Sequence, residues 1–279
     1  MNVQLVWATP NAEEMITHMA RVSAPKNQGN METAPKLLKY LITHKHWSPY
    51  EMANMCVEIN TTRAISAQII RHRSFSFQEF SQRYADTNEL GSAAIPHLRR
   101  QDHKNRQNSI DDLSPELVGS YYRRISELYE NSEHLYREMV SNGVAKECAR
   151  AILPLSTQTR IYMNGTLRSF IHYLDLRCHE STQLEHQQIA REIKRIFCEQ
   201  FPIIGEAAFS EGWENKRWSK QMAIKRSRRF VFLIQQWHAW TLHPCVPLSF
   251  SYLPGRQSML CSFDQASSDI WKVANVTVC

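Results

Sequence analysis

The sequence predicts a mixed α/β fold whose second half is mostly helical. Two short runs, residues 3–7 and 55–59, alternate enough to be strands. Apolar residues spaced three and four apart recur along much of the chain, some of them opened by helix-starting signatures. The composition agrees: 279 residues, 43% hydrophobic and 22% charged, describe a soluble globular protein with a substantial core in one domain or two.

Taken in order, the strand at 3–7 is followed by a helix over 13–21. A second helix covers 35–44: Thr33 can cap it, Pro35 lies in its first turn, and Leu37, Leu38 and Leu41 share a face. After the strand at 55–59 comes a helix over 62–70 whose last turn meets Arg71 and Arg73, a favoured place for positive charge. Residues 91–112 are polar, rich in His, Arg and Asn, and read as a loop. Ser114-Pro115-Glu116 then supplies a cap, a first-turn proline and a first-turn acid. That helix is expected to run to about Ser141 with Leu117, Tyr121, Ile125, Leu128, Leu135 and Met139 on its buried side, and Gly143 is a plausible stop. Helices over 146–153, 167–177 and 182–201 complete the second half. A boundary falls near 210. Beyond it, residues 216–229 are strongly basic, and the rest mixes Trp, Cys, Pro and Ser without clear periodicity. Residues 211–279 are expected to be a peripheral or poorly ordered extension of a catalytic domain over 1–210.

The net charge of +6 suits anionic substrates such as nucleotides and is also compatible with nucleic acid. Seven cysteines lie far apart with no C-x-x-C pair, and the first residues lack a basic n-region and an apolar h-region. Reduced thiols in a cytoplasmic setting are expected, and a zinc site is not. The longest apolar-looking run, 230–242, contains Gln235, Gln236 and His238 and is too short and polar to span a bilayer.

Chemistry concentrates in residues 71–84. Adjacent Arg71, His72 and Arg73 repel one another and are strongly hydrated, so packing alone does not explain them. A bound anion offsets both penalties, because a guanidinium fork matches phosphate oxygens. If residues 77–84 are extended, Glu79, Ser81 and Arg83 project to one face while Gln78, Gln82 and Tyr84 take the other. A second polar stripe, Arg168, His172 and Asp175, lies at helical spacing near Arg177 and His179; on pattern alone it is equally a solvated helix face.

Arg71-His72-Arg73, seven residues, then Ser81 resembles the signature of the flavin-dependent thymidylate synthases. His46-Trp47-Ser48-Pro49-Tyr50-Glu51 looks like that family's upstream His-x-Ser/Thr-Pro-aromatic-Glu element. Ala149-Arg150-Ala151-Ile152-Leu153-Pro154-Leu155 looks like its Arg-x-x-Leu-Pro element, and Gly165-Thr166-Leu167-Arg168-Ser169 through Leu176-Arg177 is similar to its third block. The four occur in the family's order across roughly residues 1–210. In this chain Thr166 stands where relatives often have Asn, and Met52 where some have His.

The resemblance implies an α/β (α+β) fold with a central antiparallel sheet and a helical bundle, assembled as a homotetramer whose active sites are shared between subunits. It implies that Arg71, His72 and Arg73 contact FAD, with Ser48 and Glu51 nearby on another subunit, and that Thr166, Arg168 and His172 also line the flavin. Gln68, Glu79, Ser81, Arg83, Arg150 and Arg177 would hold dUMP, with arginines at the phosphate and Arg177 at the uracil ring. The implied reaction is reductive methylation of dUMP to dTMP, with methylenetetrahydrofolate as carbon donor and NADPH as reductant through FAD.

Uracil C5 must become nucleophilic, and Arg177 is the cation assigned to stabilise charge developing on the ring. Ser81 invites a nucleophilic role. Its neighbouring arginines cannot act as bases, so a binding and orienting role is expected. Cys178 beside Arg177 is read as a small buried helix residue rather than a reactive thiol. Two other readings stay open: a related enzyme acting on another pyrimidine nucleotide or transferring a hydroxymethyl group, and a nucleic-acid-binding protein using the basic clusters at 99–100, 104–106 and 225–229.

Overall fold

The computed structural model describes residues 2–209, and the predicted extension over 211–279 lies outside the described residues. Along the chain, β1 (Asn2–Ala8) leads to α1 (Ala12–Ala20) and α2 (Ala34–Thr43), then β2 (Asn54–Thr62), α3 (Arg63–Ile69) and β3 (Ser76–Glu79). A minimal hairpin of β4 (Arg100–Gln101) and β5 (Ser109–Ile110) precedes the long α4 (Pro115–Ser141) and one-turn α5 (Lys146–Ala149). β6 (Gln158–Thr166) passes directly into α6 (Leu167–Arg177), and α7 (Leu184–Gln200) and α8 (Pro202–Phe209) follow.

The main sheet has the order β1-β2-β6-β3, and every pairing is antiparallel. Its inner face contributes Met55, Val57, Ile59, Ile161 and Met163, all fully buried, to a core shared with Ile16, Leu38, Phe170, Ile189 and Phe197 from the helices. The outer face is polar: the Tyr162 hydroxyl donates to Glu58 at 2.9 Å, and Arg160 donates to Asn60 at 2.9 Å. The mixed α/β class and the antiparallel sheet stand as expected.

The sequence reading missed the central strand β6, the short helix α8, and the hairpin of β4 and β5 inside the stretch read as a loop. The inward positions of β6 are Thr159, Ile161, Met163 and Gly165, only two of them strongly apolar, so the two-residue period is faint. Four further expectations need correction. The 77–84 stretch is not one strand: β3 stops at Glu79, and the Ser81 carbonyl then accepts from Tyr84 and Ala85 amides at 3.1 and 3.0 Å, a turn that breaks the alternation. Gln82 is buried whereas Tyr84 is exposed, so the two do not share a face. The apolar stripe of α4 faces outward: Leu117, Tyr121, Leu128 and Leu135 are exposed, and Tyr136 is the helix's buried residue. The helix expected over 146–153 is a single α-turn followed by a 3-10 turn at Arg150–Ile152.

The cap at Ser114 stands, its hydroxyl accepting from the Leu117 amide at 3.3 Å, and Gly143 ends α4 with φ of +85°, a conformation that glycine adopts without strain. Thr33 does not cap α2. Its hydroxyl instead accepts from Arg21 at 2.7 Å, and that buried guanidinium also donates to the carbonyls of Asn27 and Asn30, pinning the loop between α1 and α2. At the other end of the fold, the Ile204 amide in the first turn of α8 donates to Glu13 of α1 at 2.8 Å. Burial raises the pKa of that carboxyl, and the amide bonds partly offset the rise.

Candidate active site

The Arg-His-Arg segment joins α3 to β3 through two tight turns, with the His72 amide donating to Ile69 at 3.1 Å and the Phe75 amide to His72 at 3.2 Å. Arg71 and Arg73 are exposed, while His72 is partly buried. The turns thus sort the charges: two guanidinium groups face water, and the titratable ring faces the protein. Phe75 anchors the segment. Its ring lies over Gly165 of β6, where an added Cβ would come 2.4 Å from Phe75 Cδ1, and its centroid is 5.0 Å from that of Phe170. The Ser169 hydroxyl donates to the Ser74 carbonyl at 3.0 Å, so the segment lies along the start of α6.

At the other end of α6, Arg177 Nε donates to His72 Nε2 at 2.9 Å. The His72 ring meets Tyr173 edge-on at 4.9 Å, and the Tyr173 hydroxyl is 3.0 Å from His186 Nε2. Tyr173 and His186 are buried, and His186 Nδ1 has no hydrogen-bond partner among the described residues. The His72 pKa is pushed down to about 4, first by desolvation and then by the charges of Arg177 and Arg71. That of His186 is also pushed down to about 4, by burial, then Arg177 and His72. Burial raises the Tyr173 pKa, so it stays a phenol. Both imidazoles are therefore neutral bases at physiological pH.

Glu79 faces another cluster. Its Oε1 accepts from Ser66 at 2.6 Å and Thr159 at 3.1 Å, and Arg63 lies 2.7 Å away. Arg150 lines a cleft of about 380 Å³ with Arg63, Gln82, Glu147 and Thr157. Ser81 and Arg83 line an adjoining cleft of about 390 Å³ with Lys146 and Glu147. Glu147, shared by both clefts, pairs with Arg83 through contacts of 3.0 and 2.9 Å. Gln68 donates to Gln183 at 2.7 Å, and Gln183 donates to Glu185, which Arg99 grips bidentately at 2.8 and 3.0 Å.

Arg168, in the first turn of α6, pairs with Glu51 in the 3-10 turn Ser48–Glu51. His172, one turn further along, stacks obliquely on Trp47 with centroids 4.5 Å apart. Thr166 is the N-cap of α6 and accepts from the Ser169 amide at 3.2 Å. The stripe of Arg168 and His172 is thus engaged with the Trp47–Glu51 segment rather than wholly solvated. Cys178, expected as a buried helix residue, is the C-cap of α6 and only partly buried.

The predicted residues fall into three groups: Arg71 to Arg73 with Arg177; Glu79, Ser81, Arg83 and Arg150; and Ser48, Glu51, Thr166, Arg168 and His172. Gln68 stands apart, near a cleft of about 690 Å³ lined by Gln183, Glu185, Tyr129 and Leu155, which contains none of the predicted site residues. Sequence reasoning missed Arg63, Ser66, Thr159, Glu147, Tyr173 and His186. Only Thr159 and Ser66 had a local signal, as polar residues at inward positions of their elements. Among the described residues no group of three or more His, Cys, Asp or Glu is placed to hold a metal ion, and no helix is long and apolar enough to cross a membrane.

A one-sided antiparallel sheet with arginines gathered around its β3–β6 edge defines an α+β protein suited to anionic ligands. The family described as thymidylate synthase complementing protein matches residues 4–203. The chain belongs to this family, that of the flavin-dependent thymidylate synthases. It is 52% identical over 204 residues, 73% of this chain and 93% of the relative, to a probable flavin-dependent thymidylate synthase of Paramecium bursaria Chlorella virus 1. It is 48% identical over 195 residues, 70% of this chain and 88% of the relative, to a flavin-dependent thymidylate synthase of Synechocystis. The crystal structure of a UMP/dUMP methylase, PolB from Streptomyces cacaoi, bound with 5-Br UMP matches with a TM-score of 0.66 at 26% identity, covering 74% of this chain and 92% of that one.

Proposed function

We propose that the chain catalyses reductive methylation of dUMP to dTMP, with FAD as cofactor, methylenetetrahydrofolate as carbon donor and NADPH as reductant. The observation that carries this reading is Arg177, a partly buried guanidinium held against the Arg-His-Arg segment by a neutral acceptor. A cation so fixed suits the edge of a pyrimidine ring that gains negative charge. Arg83 and Arg150, in adjoining clefts, suit the nucleotide phosphate, with Gln68, Glu79 and Ser81 as further contacts. Ser81 binds and orients, and burial raises the pKa of Cys56 and Cys198, which keeps those two as thiols rather than nucleophiles.

The donor set fits a flavin dinucleotide. Exposed Arg71 and Arg73 suit the diphosphate, as does Arg168 beside the N-cap Thr166, while Ser48, Glu51 and the Trp47–His172 pair offer polar and planar surfaces. Bound FAD supplies the redox chemistry, and the protein supplies orientation and charge. Residues 1–210 form the catalytic unit of this reading, supported by the family match over 4–203. The four cysteines of the described residues form no disulfide with one another, which supports a cytoplasmic working location.

The exposed stripe of Leu117, Tyr121, Leu128 and Leu135 supports a homotetramer with shared sites, because a second copy would cover it. Leu128→Glu should lower the native mass measured by light scattering. The reaction is tested by incubating purified protein with dUMP, methylenetetrahydrofolate and NADPH and weighing the product. dTMP supports the reading; a hydroxymethylated nucleotide or no product, or a protein that shows no flavin absorption even after FAD is added, sinks it.

A further inference from the structure

We propose that His72 is a positioning residue for Arg177: its bare Nε2 accepts the Arg177 Nε–H and fixes the plane of the guanidinium. The inference rests on the ring-facing role given to Arg177 above. The 2.9 Å contact has a direction, since arginine can only donate, so His72 Nε2 carries no proton and the neutral ring keeps its proton on Nδ1.

The acceptor is neutral, and that is the functional point. A carboxylate in the same place would hold the guanidinium equally well but would cancel much of its charge. An imidazole fixes the geometry and leaves the whole positive charge for the substrate. The surroundings keep it neutral. Arg71 adjoins it in sequence, Arg177 touches it, Tyr173 meets it edge-on at 4.9 Å and His186 lies 6.3 Å away between ring centres. The charges that act on the ring, Arg177 first and then Arg71, are both cations, and each opposes its protonation. Buried Tyr173, whose hydroxyl meets His186 at 3.0 Å, forms a wall against which the His72 ring rests edge-on. An exposed flavin contact would need no such wall.

The test uses the full chain. Nitrogen NMR of imidazole-labelled wild-type protein should find His72 with a protonated Nδ1 and a bare Nε2 down to about pH 5, given its pKa of about 4. The opposite tautomer, or a ring that titrates near its ordinary value, overturns the proposal whatever the enzyme turns over. In kinetics, His72→Leu should lower kcat about a hundredfold while FAD affinity, read by flavin fluorescence, stays within about threefold. His72→Gln, which offers a neutral oxygen acceptor, should recover about tenfold of that loss, and His72→Asp, which restores an acceptor but neutralises the cation, should not. His72→Leu added to Arg177→Ala should slow the reaction by no more than about threefold further, because the two act as one unit.

Additive losses in the double variant, a loss confined to FAD affinity, or Asp outperforming Gln would each overturn the role. Thermal melting separates these outcomes from misfolding, and Gln and Asp, being polar in the same place, provide the comparison if Leu proves unstable. Wild-type protein that passes the NMR test yet makes no dTMP would defeat the functional reading and leave the tautomer standing.

Discussion

Arg177 and Arg83 carry the same group and are held in opposite ways. Arg177 is partly buried and leans on a neutral imidazole; Arg83 is exposed and shares its charge with the Glu147 carboxylate. An exposed pair of the second kind contributes about 0–1 kcal/mol and exchanges readily for another anion. The first arrangement cannot exchange without reorganising α6 and the 71–75 segment. One molecule thus has a fixed cation suited to a delocalised charge and an adjustable one suited to a phosphate that must come and go.

Four measurements would break or sharpen that contrast. Arg177→Lys should cost about a thousandfold in kcat, since an ammonium offers neither the planar fork nor the Nε–H that His72 accepts. A lysine enzyme within tenfold of wild type in steady-state kinetics would erase the difference. The next effect concerns acid. His186 is buried with its pKa at about 4, below the ordinary 6.5, so between those values the unfolded chain takes a proton that the folded one refuses. Stability is therefore complete above about pH 6.5 and lost as pH falls toward about 4, by at most about 3 kcal/mol for this group. Urea midpoints measured across that window should slope, and His186→Asn should lessen the slope, leaving the part that His72 contributes.

Gly165→Ala comes third, with about 2 kcal/mol lost, because Phe75 must leave its place and take the Arg-His-Arg segment with it. Equilibrium denaturation would measure the loss, and activity should fall with it. The smallest effect belongs to the adjustable side: Glu147→Gln should lower the KM for dUMP about twofold at low salt, and the gain should vanish at high salt. An equal effect at both salt concentrations would mean that Glu147 does more than shade Arg83.

The long helices were legible because each carried its own signal, whereas α8 was not read and the helix expected over 146–153 is only an α-turn and a 3-10 turn. Ser114-Pro115-Glu116 and Gly143 bracket α4 from within a few residues, and both ends behave as that chemistry requires. The centre of the sheet was not. β6 spends two of its four inward positions on Thr159 and Gly165, each chosen for what another segment needs: a hydroxyl for Glu79, and room for Phe75. The outward stripe of α4 misled for a related reason, since periodicity reports that a face is apolar and not which surface covers it. At the site, the resemblance pointed to Arg71, His72, Arg73 and Arg177, whereas the His72–Arg177 contact spans 105 positions and left no trace in the spacing. Glu147 and Arg63, the counter-charges of the predicted residues, were invisible for the same reason.

The bond between Glu13 and the Ile204 amide has a consequence in time. The acid belongs to the first of the described helices, and its partner lies 191 residues later. Until that amide arrives, a carboxyl meant for a half-buried place has nothing to hold it there, and the face that α1 presents to α8 stays wet. That contact closes only once α8 is present, and a chain cut short before Ile204 loses a partner of its first helix along with its end.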